Sequence, residues 1–129
     1  MSTQALKLGF IGLGIMGAPM ALHLIKAGYQ LFVYTHGKLH AEVAASSATQ
    51  CTSAKGVAER ADIVFTMVPD TPDVEAVLFG AEGVAAGLSE GKTVVDMSSI
   101  SPIETKAFAQ RINALGCDYL DAPVSGASR

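Results

Sequence analysis

Tryptophan is absent from this 129-residue chain, cysteine occurs twice, histidine three times, and charged residues make up 16%. Each shortage removes a class of protein. Cys51 and Cys117 are far apart and match no metal or redox spacing, so a disulfide framework and a thiolate metal site are excluded. They read as two small buried hydrophobes of a reduced, cytoplasmic protein. His36 and His40 are four apart but have no third ligand nearby, and His23 falls in a helix as a packing or surface residue, so no metal site is expected. A net charge of −3 without any basic run argues against nucleic acid as a partner. No apolar run reaches membrane-spanning length, and the first residues lack the charged and apolar regions of a signal peptide. No membrane partner is expected.

What is present is apolar and regular. Half of the residues are hydrophobic and 13 are glycine, the balance of one domain built on a buried sheet. Strand patterns occupy residues 6–13, 30–34, 49–52, 62–68, 92–97 and 117–121. Helical patterns lie between them at 16–27, 39–45, 53–60, 71–79 and 102–115, with 80–87 as an alanine- and glycine-rich loop that can hold a turn of helix. Gly28 and Gly116 stop the first and last helices. Ser53 or Thr52 caps the third, Thr71 followed by Pro72 starts the fourth, and Ser101 with Glu104 forms a capping box. Nearly continuous apolar strands joined by helices predict an α/β fold: a Rossmann-type, doubly wound, mainly parallel six-stranded sheet with helices on both faces. Such a sheet binds ligands at its carboxyl edge.

The loops at that edge carry the candidate chemistry. Lys7-Leu8-Gly9-Phe10-Ile11 is an apolar strand running into Gly12-Leu13-Gly14-Ile15-Met16-Gly17 and then a helix. The first glycine permits a tight turn, the second lets backbone approach a pyrophosphate, and the third lets helix and strand pack closely. The helix N-terminus adds free N–H groups and the positive end of a dipole. This predicts dinucleotide binding, the alternative being a strand–turn–helix whose glycines serve packing alone. The second loop, Tyr34-Thr35-His36-Gly37-Lys38, lacks the acid that would accept a ribose 2′-OH. Thr35, His36 and Lys38 offer a hydroxyl and positive charge, which suits a 2′-phosphate and favours NADP(H), with NAD(H) as the alternative. The third loop, Val68-Pro69-Asp70, is explained largely as turn chemistry, with a backbone path beside the cofactor as its added role. In the fourth, Ser101 is accounted for as a helix cap, whereas Ser98 and Ser99 are left as hydroxyls able to face a ligand. The fifth, Asp121-Ala122-Pro123-Val124-Ser125-Gly126, is by itself a strand-exit turn.

Taken together these loops resemble the β-hydroxyacid dehydrogenase family. The run from Phe10 to Ala21 looks like its N-terminal signature, and Thr66 to Asp70, Val95 to Ile100 and Asp121 to Gly126 match its later motifs in order. The run from Val94 to Glu104 is similar to the branch that reduces tartronate semialdehyde. A relation to 6-phosphogluconate dehydrogenase shares the fold but fits the Asp121 to Gly126 loop less closely. The resemblance implies hydride transfer between NAD(P)H and the carbonyl of a small 3-oxo acid, or the reverse from the 3-hydroxy acid. It places Gly12, Leu13, Gly14, Ile15 and Met16 along the pyrophosphate, Val68 and Pro69 beside the cofactor, and Ser99 near the nicotinamide. Ser125 and Gly126 would hold the substrate carboxylate. Two residues depart from the pattern: His23 stands where the family has Asn, and Ala127 where it has a second glycine. The family also continues into an all-helical domain that carries the general acid/base lysine; Lys55, Lys92 and Lys106 do not match its place. The resemblance therefore implies a cofactor domain inactive alone, with no catalytic residue of its own. The surface that the helical domain would cover suggests self-association, and a non-catalytic nucleotide-binding or interaction module is the alternative function.

Overall fold

The structure is a computed structural model that describes residues 6–12, 17–35, 41–44, 46, 48–67, 71–98 and 102–122. Its strands are β1 (Lys7–Ile11), β2 (Gln30–Tyr34), β3 (Thr49–Gln50), β4 (Ile63–Thr66), β5 (Thr93–Asp96) and β6 (Asp118–Asp121). Its helices are α1 (Gly17–Lys26), α2 (Ala41–Ala44), α3 (Ala54–Arg60), α4 (Thr71–Phe79), α5 (Val84–Gly87) and α6 (Pro102–Asn113). The six strands form one sheet in the order β3-β2-β1-β4-β5-β6, and every neighbouring pair is parallel. The order reverses at β1, which lies at the centre, and this is the doubly wound topology expected of the sequence.

Alternation along the strands divides the core. One side collects Ile11, Phe32, Val64 and Val94 beneath α3, α4, α5 and α6, whose Val57, Val74, Leu78, Val84, Phe108 and Ile112 are almost fully buried. The other side collects Leu8, Phe10, Leu31 and Val33 beneath α1 and α2, through Ala21 and Val43. Phe10 of β1 stacks on Phe65 of β4 with ring centroids 6.0 Å apart, carrying this second layer across the centre of the sheet. Val95 of β5 remains half-exposed on that side, and Leu120 of the edge strand β6 is 55% exposed.

Local chemistry sets most boundaries. The Ser53 hydroxyl accepts the Gly56 N–H at 3.1 Å, which caps α3 and decides between the two candidate caps. At the end of α1 the Gly28 N–H reaches the Ile25 carbonyl and the Tyr29 N–H reaches that of Leu24, the paired bonds of a Schellman turn. Lys92 Nζ donates to the carbonyls of Ala58 and Glu59 and so satisfies the last turn of α3.

Several boundaries differ from the sequence reading. β3 is two residues long rather than four, because at Cys51 the side chain turns into the core as the chain swings toward α3. α1 starts at Gly17 and α6 stops at Asn113, after which Ala114 to Gly116 form a turn, whereas α4 keeps the expected range Thr71–Phe79. The turn of helix allowed for within residues 80–87 is α5, packed on α3. Both cysteines are buried and free, as their isolation in the sequence suggested.

Candidate functional site

The carboxyl ends of the strands are levelled by a row of backbone hydrogen bonds. The Gly12 N–H donates to the Tyr34 carbonyl at 3.1 Å, that of Met67 to Ile11 at 2.9 Å, that of Met97 to Thr66 at 2.7 Å and that of Ala122 to Asp96 at 2.9 Å. Five chain exits are thereby aligned, after β2, β1, β4, β5 and β6. All five lead into the loops singled out by their residues, and the one at Gly12 opens the glycine turn. Its φ of 89° is the left-handed backbone that a glycine adopts without strain, and α1 begins five residues later at the same edge. Thr35 lies directly past the end of β2, half-buried. Leu13, Gly14, Ile15, Met16, His36, Lys38, Val68, Pro69, Ser99, Ser125 and Gly126 lie outside the described residues, as do Ser101 and Ala127. Gly12 and Thr35 are the sequence-derived site residues that the structure places, and they stand on adjacent strand exits.

Directly beneath the edge lies a polar cluster whose meeting the sequence reading did not foresee, and it includes Ser98, read there as able to face a ligand but buried here. Thr66, Asp96 and Ser98 are the buried polar residues among those described. Thr66 and Asp96 are the last residues of β4 and β5 and face each other in register. The Thr66 hydroxyl donates to Asp96 Oδ1 at 3.0 Å, and the Ser98 N–H donates to the same oxygen at 3.1 Å. The Tyr119 hydroxyl, from β6, donates to Oδ2 at 3.0 Å. Burial, followed by the charge of Asp96, pushes the Tyr119 phenol far above its ordinary range, so it remains a donor at every working pH. The signal in the sequence was a threonine and an aspartate ending two strands with apolar centres. Buried polar groups need partners, and here each strand end supplies the other's.

Asp121 pairs in register with Asp96 and lies on the same face of the sheet. Partial burial, then the negative charge of Asp96, raises its pKa. A carboxyl with a raised folded-state pKa opposes folding once ionised, and the opposition fades as pH falls through its titration. Asp121→Asn is accordingly expected to raise the melting temperature at pH 7. That gain should shrink as the pH is lowered through the carboxylate range, which a series of thermal melts would measure.

Other titratable groups stand apart from this cluster. The thiol of Cys51 is buried under the helices, and burial pushes it up against a smaller opposing influence of Arg60, so it is a poor nucleophile. Lys92 precedes β5 and bonds the end of α3, at the opposite rim of the sheet from the loops. Lys55 and Lys106 are carried by α3 and α6. His23 is exposed on α1. Among the described residues no three histidine, cysteine or acidic side chains come together as a metal site, and no helix is long and apolar enough to cross a membrane.

Comparison with known proteins matches the architecture to a family. Residues 7–129 fit the family described as the NAD binding domain of 6-phosphogluconate dehydrogenase. The chain belongs to this family. Within that wider group the NAD-binding domain is similar to those of hydroxyacid dehydrogenases, as the ordered motifs implied. It is 60% identical over 121 residues to 2-hydroxy-3-oxopropionate reductase of Escherichia coli K12, a match covering 94% of the chain and 41% of the reductase. The 3-hydroxyisobutyrate dehydrogenase of Mycobacterium tuberculosis, solved with L-serine, superposes with a TM-score of 0.83 at 31% identity, covering 94% of this chain and 41% of the dehydrogenase. An imine reductase from Myxococcus stipitatus superposes with a TM-score of 0.80 at 28% identity, covering 89% of this chain and 39% of the reductase. It has been solved with NADP+ and, as a variant, with NAD+. The chain thus spans about two fifths of the length of the proteins it matches.

Proposed function

We propose that this NAD-binding domain binds NADP(H) in preference to NAD(H), and serves a cytoplasmic oxidoreductase acting on a small 3-oxo acid of the tartronate semialdehyde type. The observation that carries the reading is the left-handed turn at Gly12, between the central strand and α1, on an edge where five strand exits are level. A nicotinamide coenzyme supplies the hydride for the substrate carbonyl. The chain's own residues bind and orient. Backbone N–H groups of Gly12, Leu13, Gly14, Ile15 and Met16, with the N-terminus of α1, bind the pyrophosphate. Thr35, His36 and Lys38 hold the 2′-phosphate, Val68 and Pro69 flank the cofactor, and Ser99 approaches its nicotinamide end. Ser125 and Gly126 bind the substrate carboxylate through hydroxyl and backbone donors. The two free, buried thiols support a reducing compartment.

The proton for the product alkoxide is assigned to none of these residues. Lys92 is held at the far rim, which supports a donor outside residues 1–129. Calorimetry should therefore find NADPH binding tighter than NADH. The 129-residue chain assayed by itself should reduce tartronate semialdehyde at least about 10²–10⁴-fold more slowly than a full-length relative, the usual contribution of a positioned acid. Failure to bind either nucleotide would overturn the reading. A second reading, a non-catalytic module that self-associates, draws on the exposed Leu120 beside half-exposed Val95 on the side of the sheet served by α1 and α2. Light scattering that reports a dimer without nucleotide binding would favour it.

A further inference from the structure

The Asp96 carboxylate collects donors from three separate elements: Thr66 ending β4, Tyr119 in β6, and the Ser98 backbone at the start of the loop after β5. We propose that Asp96 is a positioning residue, which clamps together the exits of β4, β5 and β6 and so aims the β5 loop at the nicotinamide half of the cofactor. The proposal rests on the cofactor reading given above.

The geometry favours a clamp over ordinary packing for three reasons. First, an ionised carboxylate only accepts, and all the groups drawn to it are donors, so the set is chemically matched. Second, the bonds are distributed: Oδ1 takes Thr66 and Ser98 while Oδ2 takes Tyr119, which fixes the carboxylate plane as well as its position. Third, the Ser98 bond closes a short turn on the residue two before it, and such an aspartate turn sets the direction of the backbone that follows. Ser99 is the next residue. Asp96 itself is fully buried and cannot touch a ligand, so it acts through the loop. The adenine half of the cofactor would bind across β1 and β2, whose exits the clamp does not touch. A defect in the clamp should therefore be felt at one end of the ligand only.

That asymmetry supplies the test. Asp96→Ala, Asp96→Asn and Tyr119→Phe would be compared with the unaltered chain by calorimetry against NADPH and against adenosine 2′,5′-bisphosphate, which carries the adenine half alone. Hydrogen exchange of the Ser98 amide would be followed in the same proteins. Asp96→Ala removes all three bonds, and loss of the one that holds Ser98 should weaken NADPH binding by about tenfold, while adenosine 2′,5′-bisphosphate stays within about twofold. Asp96→Asn keeps an acceptor at Oδ1 and should recover most of the loss. Tyr119→Phe leaves the ring in place and should fall between, so it carries the test if Asp96→Ala does not fold. Ser98 exchange should quicken in the order of the binding loss. Equal weakening of both ligands would mark a merely structural role and overturn the proposal, as would unchanged NADPH binding or an unchanged Ser98 amide. Absence of NADPH binding by the unaltered chain would instead overturn the cofactor reading, while the Ser98 exchange still reports whether the clamp exists.

Discussion

Gly9→Ala is expected to remove about 1–3 kcal/mol of stability, and Gly9→Val more, a large share of the roughly 5–15 kcal/mol typical of a domain. Gly9 is buried in the central strand and lies in register between Phe32 and Val64. A Cβ built on it would overlap Val57 Cγ1 and lie 3.0 Å from the Cβ of Ala61. Neither neighbour can yield easily. Val57 is β-branched and stiff at χ1, Ala61 has no torsion to turn, and both are fully buried at the seam where α3 crosses β1. The strain must move α3 as a body. Relief should come from the partner: Val57→Ala alone creates a cavity and costs stability, but combined with Gly9→Ala the total loss should be smaller than the sum by about 0.5–3 kcal/mol. Urea unfolding of the four proteins measures this coupling. Additive losses would mean that α3 does not press on Gly9.

This glycine marks the limit of what could be read in advance. The alternation of apolar strands and helices, the glycine turn and the ordering of the edge loops were legible because each follows from periodicity or from local chain chemistry. The Ser53 cap and the closure of α1 at Gly28 belong to the same class. Gly9 could be placed in a strand, yet its closeness to Val57 is a contact across 48 positions that no local pattern carries. The same holds for Thr66, Asp96 and Tyr119, which span strands β4 to β6 and meet only because their register brings them together. The shortness of β3 and the bounds of α5 have another source: such short elements are set by what they pack on rather than by their own propensity. Of the candidate site, the identity of each loop and the donor groups it carries could be read from the sequence, whereas the support beneath the loops came only from the fold.

Gly12→Val is expected to lower NADPH affinity by about 100-fold or more, a change of about 2.7 kcal/mol, while the fold survives. At φ of 89° the residue occupies backbone that a β-branched side chain tolerates badly, at a cost of about 1–3 kcal/mol. That strain has two outlets. The turn can keep its shape and the whole domain lose stability, or the turn can relax and the domain keep it. Gly12 lies one residue past the end of β1 and is fastened by the N–H bond to Tyr34, a contact worth about 1 kcal/mol net. The strain matches or exceeds that fastening, so relaxation is the easier outlet. The core of β1, by contrast, is anchored on both sides through β2 and β4 and should not follow. A relaxed turn redirects the amides that follow it, and those amides are the proposed pyrophosphate grip. The expected signature is thus a thermal midpoint near that of the unaltered chain with nucleotide binding lost. A midpoint lowered by several degrees with binding intact would show that the turn is held more firmly than its single described hydrogen bond implies. Binding and stability both unchanged would remove Gly12 from the site altogether.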